Sequence, residues 1–214
     1  MTNAPTLPPA AGRPRSVRLP RSARKAQLLK VALQVFVEQG YHAASMDEIA
    51  DRAGVSKPVL YQHFPGKLDL YLALISTACD TVIDGVRQAL ASTQDNRQRV
   101  RATIELWFDY VARHDAPIRL VFESDLTNDP EVRDQLDRVT TESASAIADV
   151  IGEDTGLPTE AAHLLAVALV AMGQVSARRW LDSASTLSRE DATRMLATLA
   201  WRGIGGFPKP DAPL

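Results

Sequence analysis

The fold is decided by residues 46–64, which read MDEIADRAGVSKPVLYQHF. Two short amphipathic segments meet in this stretch at Gly54, with the small Ala50 four residues before it and Leu60 six residues after it. Glycine tolerates the left-handed backbone that a tight turn between two helices requires, and a small alanine lets the helices cross closely. The apolar core between the segments consists of Ile49, Val55 and Leu60. This spacing predicts a helix-turn-helix, whose second helix enters the major groove of DNA.

Helical periodicity extends from this stretch over most of the remaining chain, and no convincing period of two indicates a strand. Nine helices are predicted, at about 21–39, 45–54, 57–63, 67–90, 97–113, 116–124, 129–151, 159–182 and 189–204. Local signals mark several ends. Ser45 and Glu48 form a capping box, Gly40 stops the first helix, and Asp129 precedes a proline at the first helical position. We therefore predict an all-α fold.

The charges of the 214 residues are distributed unevenly along the chain. Residues 1–67 carry ten basic and four acidic side chains, a net charge of +6, whereas the remainder carries −8. A basic amino-terminal third predicts a head that binds a polyanion, with a solvated basic tail as the alternative. We divide the chain into a disordered basic arm (1–20), a helix-turn-helix head (21–66) and a helical body (67–214).

The composition excludes several classes of protein. The single cysteine, Cys79, excludes an intramolecular disulfide and a cysteine-rich metal site, and it is typical of the reducing cytosol. The longest uncharged apolar stretch, residues 161–177, is shorter than the roughly 20 residues of a membrane span. The sequence contains no GxSxG, P-loop, HExxH or GxGxxG motif. We therefore predict a cytoplasmic protein that is not an enzyme and has no metal or cofactor.

The head resembles the TetR family of bacterial transcription regulators over about residues 24–75. The resemblance is carried by Phe36, Gly40, Ile49, Ala50, Ala53, Gly54, Val55, Ser56, the stretch 60–64 (LYQHF), Lys67 and Leu68. Pro65 and Gly66 depart from the family pattern, in which a serine-type cap is more usual, although glycine is an acceptable N-cap. Residues 46–71 are also similar to an actinobacterial subset of the family that controls fatty-acid synthesis in response to acyl-coenzyme A.

The predicted recognition helix has two distinct sides. Its inward side holds Leu60, His63 and Phe64, and its outward side holds Pro58, Tyr61 and Gln62. Gln62 can pair with adenine, Lys57 can reach a phosphate or a guanine edge, and the Tyr61 hydroxyl suits a phosphate. A packed hydroxyl is the alternative for Tyr61, and a core or capping role is the alternative for a phosphate contact by His63.

Two further groups are predicted to reach the DNA. Lys67 opens the next helix, where its backbone N–H and its ammonium both suit a phosphate. The arginines at positions 13, 15, 18 and 21 suit an adjacent minor groove, with a solubilising tail as the alternative. The complete predicted DNA-binding set is Ser45, Met46, Ser56, Lys57, Pro58, Val59, Tyr61, Gln62, His63 and Lys67. The predicted partner is a palindromic double-stranded operator, which would associate the protein with the nucleoid.

The resemblance implies a body that dimerises and binds a ligand. In the family the last two helices of each subunit pair with those of a partner, and residues 161–172 and 196–204 suit that role. The predicted wall of an apolar pocket is Trp107, Phe108, Val111, Phe122, Met172 and Trp180, with ordinary core packing as the alternative. The predicted effector is hydrophobic, specifically a long-chain acyl-coenzyme A. Its phosphates would meet Arg113, Arg119, Arg178 and Arg179, with surface ion pairs as the alternative for Arg119 and Arg178.

These inferences predict a DNA-binding regulator of lipid metabolism whose operator affinity is controlled by a hydrophobic small molecule. Ligand binding would move the helix at 67–90 and change the spacing of two recognition helices, about 34 Å on one turn of DNA. The alternative is a constitutive DNA-binding protein that has no small-molecule switch and acts through a protein partner, and a filled body would favour it. A helical lipid-binding enzyme is a third hypothesis, against which the basic head and the helix-turn-helix argue.

Overall fold

The computed structural model describes residues 19–112, 126, 128–182 and 186–204. Its helices are, in chain order, α1 (Arg21–Ala43), α2 (Met46–Arg52), α3 (Lys57–His63), α4 (Lys67–Ala91), α5 (Asn96–Ala112), α6 (Pro130–Thr155), α7 (Thr159–Asp182) and α8 (Arg189–Ile204). All regular structure within the described residues is helical, which confirms the predicted all-α fold. The predicted helix at 116–124 and the first 18 residues of the predicted arm lie outside the described residues.

The first three helices form the head around the turn at Gly54. Gly54 has a φ of 65°, and the N–H of Val55 donates to the carbonyl oxygen of Ala50 at 3.0 Å. The side chains of Ile49, Ala50 and Leu60 are completely buried. The turn and the small core that the spacing predicts are therefore both present, and they fix the angle at which α3 leaves α2.

Most helix ends follow the local signals of the sequence. The Ser45 hydroxyl accepts the N–H of Glu48 at 3.2 Å, and the Asp129 carboxylate accepts two N–H groups of the first turn of α6 at 3.0 and 3.2 Å. Gly40 has a φ of 77° and ends the regular part of α1, but a further turn continues to Ala43. The sequence predicted a stop at Gly40, and the extra turn proves important for the contact between head and body.

Helix α4 joins the head to the body. Its 25 residues form a rod of about 37 Å. Its first turns pack against α1, where the rings of Phe36 and Tyr71 meet edge to face at 5.1 Å, and the rest of the helix packs against α5 and α6. The ion pair Arg138–Asp80 at 2.7 Å joins α4 to α6. A displacement of α4 would therefore change its contacts in both the head and the body.

The body packs closely where α5 meets α7. The indole of Trp107 is completely buried and lies against Gly173. A Cβ added at residue 173 would lie 2.5 Å from Cδ1 of Trp107, a separation that real Cβ atoms do not show. Glycine is therefore required at this position for steric reasons, because α7 could not otherwise approach the indole so closely.

We expect Gly173→Ala to destabilise the protein. The added methyl group overpacks the core at Trp107, which costs about 1–3 kcal/mol and outweighs the gain of roughly 0.5–1 kcal/mol in helix propensity. Gly152→Ala in α6 is the matched control, because a Cβ there meets nothing within 4 Å. Urea denaturation should show a lower free energy of unfolding for the first variant and an equal or higher one for the second. Equal stabilisation of both would contradict the close approach of α7 to Trp107.

Candidate nucleic-acid interface and body cavity

The two sides of α3 differ in exposure in the way the sequence predicts. Leu60 and Phe64 are buried in the head, whereas Tyr61 is 46% exposed and Gln62 is also exposed. Pro58 is exposed beside them. The structure therefore presents the proposed base-reading side of α3 to solvent, and contact of these residues with DNA stays a prediction.

The amino-terminal end of α3 carries groups suited to phosphate. Ser56 is the N-cap residue, is exposed and makes no side-chain capping hydrogen bond, and Val59 is half-buried. The Lys57 ammonium pairs with the Asp47 carboxylate at 2.6 Å, and this hydrogen bond raises the pKa of Lys57. Both partners are more than half exposed, and such pairs contribute little to stability. A phosphate could therefore replace Asp47 at little cost.

His63 lies at the end of α3 beside three cationic side chains of α1. Burial and the positive charges of Arg21, Arg24 and Lys25 lower the pKa of His63, which favours its neutral imidazole. The three cations occupy the first turn of α1, which contains no acidic residue. They extend the basic surface beside α3. Arg24 and Lys25 were not among the predicted DNA-binding residues, although their spacing from Arg21 at i+3 and i+4 places all three on one helix face.

The side chain of Met46 is a core residue, which corrects its prediction as a DNA contact. It is only 7% exposed and packs within the hydrophobic core of the head. Ser45 is exposed, but its hydroxyl accepts the N–H of Glu48 and so serves to cap α2. Contact of Ser45 with DNA stays a prediction.

Lys67 also differs from its predicted role. Its ammonium donates to the carbonyl oxygens of Tyr41 (2.8 Å), His42 (3.3 Å) and Ala44 (2.9 Å), at the end of α1, and lies 4.4 Å from the centre of the Tyr41 ring. A lysine ammonium has three N–H donors, so these contacts use all of them. The ammonium therefore holds α4 to the end of α1 and is not free to bind a phosphate.

The body contains a cavity of about 190 Å³ at the end that is remote from the head. Leu90, near the carboxyl end of the α4 rod, lines it, so the cavity lies some 35 Å along α4 from Lys67. The lining residues are Leu90, Asn96, Arg99, Val100, Thr103, Ile104, Ile147, Val150, Ile151, Asp154, Thr155, Leu169, Ala200 and Trp201. The body therefore contains a cavity at this end, while its core around Trp107 is closely packed.

Comparison with known proteins identifies the family of the chain. Residues 28–74 match the family described as bacterial regulatory proteins, tetR family. The HTH-type transcriptional activator FasR of Mycolicibacterium smegmatis is 48% identical over 200 residues, which cover 94% of this chain and 91% of that protein. The chain belongs to the TetR family. As a TetR-family protein it is a DNA-binding transcriptional regulator and not an enzyme, it dimerises and binds operators, and it acts in the cytoplasm.

Solved structures share the whole fold of this TetR-family protein. A TetR-like regulator from Rhodococcus sp. RHA1 is 28% identical with a TM-score of 0.64, covering 89% of this chain and 100% of that chain. A putative transcriptional regulator from Pseudomonas aeruginosa PAO1 has a TM-score of 0.75 at 21% identity, covering 88% and 94%. The body as well as the head therefore has the architecture of TetR-like regulators.

The predicted pocket wall does not line the cavity of this TetR-family protein. Trp107, Phe108 and Val111 are 0–2% exposed and belong to the core, and Met172 and Trp180 are half-buried. Phe122 lies outside the described residues. The rings of Phe108 and Trp180 lie 5.6 Å apart, towards the end of α5 and opposite the end that lines the cavity. For Trp107, Phe108 and Val111 the alternative of ordinary core packing is therefore the better account, whereas for Met172 and Trp180 the predicted contact with a ligand stays a prediction.

The cavity residues could not have been found from helical periodicity. Val100 and Ile104 are spaced in the sequence as one face of a helix, but periodicity does not distinguish a packed face from one that lines a cavity. Arg99 looks like a surface arginine in the sequence. In the structure its side chain is only 13% exposed, and its Nε donates to the carbonyl oxygens of Leu90 and Thr93 at 2.9 and 2.8 Å. Only the arrangement of five helices reveals the space between them.

We expect Gln62→Ala to alter base preference. Loss of the amide should change the preference at one or two base pairs of each operator half-site by about 1–3 kcal/mol, because a bidentate contact to a base edge is lost. Measured affinities for a set of single-base operator variants test this expectation. Equal losses on every sequence would assign Gln62 to the phosphate backbone instead.

We expect Lys67→Met to destabilise the head without changing the salt dependence of DNA binding. Three carbonyl groups would lose a charged donor, so the free energy of unfolding should fall by about 1–2 kcal/mol. The exposed Lys25 is the matched control. Lys25→Met should leave stability nearly unchanged but lower the slope of log K against log salt concentration by about 1. A lower slope and unchanged stability for Lys67→Met would instead support a phosphate contact by Lys67.

Proposed function

We propose that this protein is an acyl-coenzyme A-responsive regulator of lipid metabolism that leaves its operator when the ligand binds. The observation that carries the proposal is the 48% identity to FasR over nearly the whole chain. It agrees with the similarity of residues 46–71 to acyl-responsive regulators of fatty-acid synthesis. Because the relative is named a transcriptional activator, we propose that the unliganded, operator-bound protein activates transcription from the nucleoid.

The cavity in the body supports a ligand-responsive regulator over a constitutive DNA-binding protein. Most residues around the cavity are aliphatic, which suits an acyl chain better than a sugar. FadR from Bacillus subtilis, solved in complex with stearoyl-CoA, has the same fold, with a TM-score of 0.66 at 17% identity, covering 86% of this chain and 99% of that chain. The fold itself is therefore compatible with a long acyl ligand.

The predicted phosphate-binding arginines receive no support from the position of the cavity. Arg178 and Arg179 are exposed near the carboxyl end of α7, and Arg178 is 4.0 Å from Asp182. Leu169 is the residue of α7 that lines the cavity, about 13 Å along the helix from Arg178. Arg113 and Arg119 lie outside the described residues. Surface ion pairing is therefore the better account of Arg178.

Exposed apolar residues of α7 and α8 support a dimer through these two helices. Leu164 and Val175 of α7 are 71% and 67% exposed, and Met195 and Leu199 of α8 are 60% and 63% exposed. By length and composition alone α7 could cross a membrane. Only 28% of its most apolar 18-residue stretch is buried in one subunit. A helix buried by its own body on one side and by a partner subunit on the other has the same composition.

The interface prediction requires Leu199→Glu to break the dimer. A carboxylate buried between subunits without a partner costs several kcal/mol, so the dimer dissociation constant should rise by roughly two orders of magnitude. Sedimentation should show monomers whose helicity is intact. Leu19→Glu is the control, because Leu19 is an exposed leucine ahead of the head, and that variant should remain dimeric. A dimeric Leu199→Glu variant would exclude this interface.

The ligand prediction is that affinity rises with acyl-chain length. Each additional buried methylene should contribute up to about 0.8 kcal/mol until the available space is full. Titration of acyl-coenzyme A species of increasing length against a labelled operator measures both binding and release, and release should follow the same order. Release that does not depend on chain length, or no release from a protein that still binds DNA, would favour the constitutive DNA-binding protein.

A further inference from the structure

Two carboxylates of α2 lie beside Lys57 at the amino-terminal end of α3. The Lys57 ammonium pairs with Asp47 at 2.6 Å, across the turn of the helix-turn-helix. Asp51, one turn later on α2, is exposed and acts on the same ammonium through its charge. One cation and two carboxylates leave a net charge of −1. This end of α3 therefore has no excess of positive charge with which to attract a polyanion.

The other end of α3 has the opposite character. His63 lies there beside Arg21, Arg24 and Lys25, and the first turn of α1 contains no acidic residue. Such a concentration of cations attracts the phosphates of any DNA sequence and supplies non-specific affinity. The two ends of α3 are therefore suited to different tasks. The end beside α1 suits the phosphate backbone, whereas the end at Lys57 suits contacts that do not depend on an excess of positive charge.

A phosphate is a poor partner for Lys57 while Asp47 is present. Exchange of the carboxylate for a phosphate costs the fold little, because both partners of the pair are more than half exposed. The exchange also gains little, since one anion replaces another and Asp47 is left unpaired beside a phosphate that repels it. The pair therefore removes most of the affinity that Lys57 would otherwise gain from the backbone of an arbitrary DNA sequence.

A guanine edge differs from a phosphate, because Lys57 can bind it without losing Asp47. A lysine ammonium has three N–H donors, and Asp47 accepts one of them. Two donors remain for O6 and N7 of guanine, which are neutral acceptors in the major groove. The Lys57 side chain is 58% exposed, so a base edge can approach its ammonium. In such a contact the Asp47 carboxylate balances the charge of the ammonium and does not compete with the base.

We propose that Asp47 is a positioning residue that reserves Lys57 for a guanine edge and so increases the discrimination between the operator and other DNA. Asp47 acts through Lys57, because it holds one donor of the ammonium and orients the other two. An acidic side chain beside the recognition helix lowers the total affinity for DNA. Asp47 lowers the affinity for arbitrary sequences more than the affinity for the operator. The proposal concerns the operator contact alone and is independent of the proposed acyl ligand.

The test measures the affinity of full-length variants for two DNA duplexes over a range of salt concentrations. One duplex is an operator that the unaltered protein selects from random-sequence DNA, and the other is a shuffled version of it. Asp47→Asn should bind the shuffled duplex about 3–10-fold more tightly, with a salt slope steeper by about 1, because Lys57 gains a phosphate contact. Operator affinity should change less than about twofold, because loss of the oriented guanine contact offsets the removal of a negative charge. The ratio of the two affinities should therefore fall.

Three controls separate the positioning of Lys57 from the charge of Asp47. Asp51→Asn removes the same charge from α2 but leaves the pair intact, so it should strengthen binding to both duplexes alike. Asp47→Glu keeps a carboxylate and should keep the affinity ratio of the unaltered protein. In a Lys57→Met background, Asp47→Asn should change both affinities equally and leave the salt slope unchanged. Should Asp47→Asn fail to fold, Asp47→Ser serves for the same comparisons.

The guanine contact is measured directly on the selected operator. Each guanine of a half-site is replaced in turn by 7-deazaguanine, which lacks the N7 acceptor. One replacement should weaken binding of the unaltered protein about 3–10-fold and leave binding of Lys57→Met nearly unchanged. An equal gain of Asp47→Asn on both duplexes, or the same fall of the ratio in the Lys57→Met background, would overturn the proposal. An operator on which no guanine replacement distinguishes the unaltered protein from Lys57→Met would overturn it as well.

Discussion

The ammonium of Lys67, held by three carbonyl oxygens at the end of α1, fixes the relation between head and body. The extra turn of α1 beyond Gly40 makes this contact possible, because it brings the carbonyl groups of Tyr41 and His42 to the start of α4. Carbonyl groups at the end of a helix carry partial negative charge, which favours a cation there. The contact also orders the first turn of α4. The head is therefore bound to one end of a rigid rod rather than to a flexible linker.

The other end of that rod lines the cavity, so α4 connects the two functional parts directly. Leu90 contributes to the cavity wall, and Lys67 holds the head about 35 Å away. Between them, α4 is packed against α6 and joined to it by the ion pair Arg138–Asp80. Helices packed in this way shift as bodies rather than bend. A ligand can exploit this arrangement only if it binds more tightly to one position of α4 than to another.

Features of the fold with a local physical cause could be predicted from the sequence, and features that depend on distant residues could not. The bounds of α3 and α7 agree with the prediction, because Ser56, Pro58 and the punctuation around residue 158 act within a few residues. The exposed side of α3 could likewise be derived from helical periodicity. The role of Lys67 could not, because its partners lie 23–26 residues earlier in the chain. The cavity could not be predicted for the same reason, since it exists only where five helices do not fill the space between them.

Helix α7 makes the cavity and the predicted dimer interface neighbours. Leu169 lines the cavity and is half-buried, so it faces its own body, although the sequence had assigned it to the interface. Leu164, five residues earlier, is 71% exposed on a different side of the same helix. One helix thickness, about 10 Å, therefore separates a ligand from a partner subunit. Because protein interiors are close-packed, a ligand that enlarges the cavity pushes on α7 as well as on α4. The spacing of the two recognition helices therefore depends both on the rotation of α4 in each subunit and on the packing between the subunits.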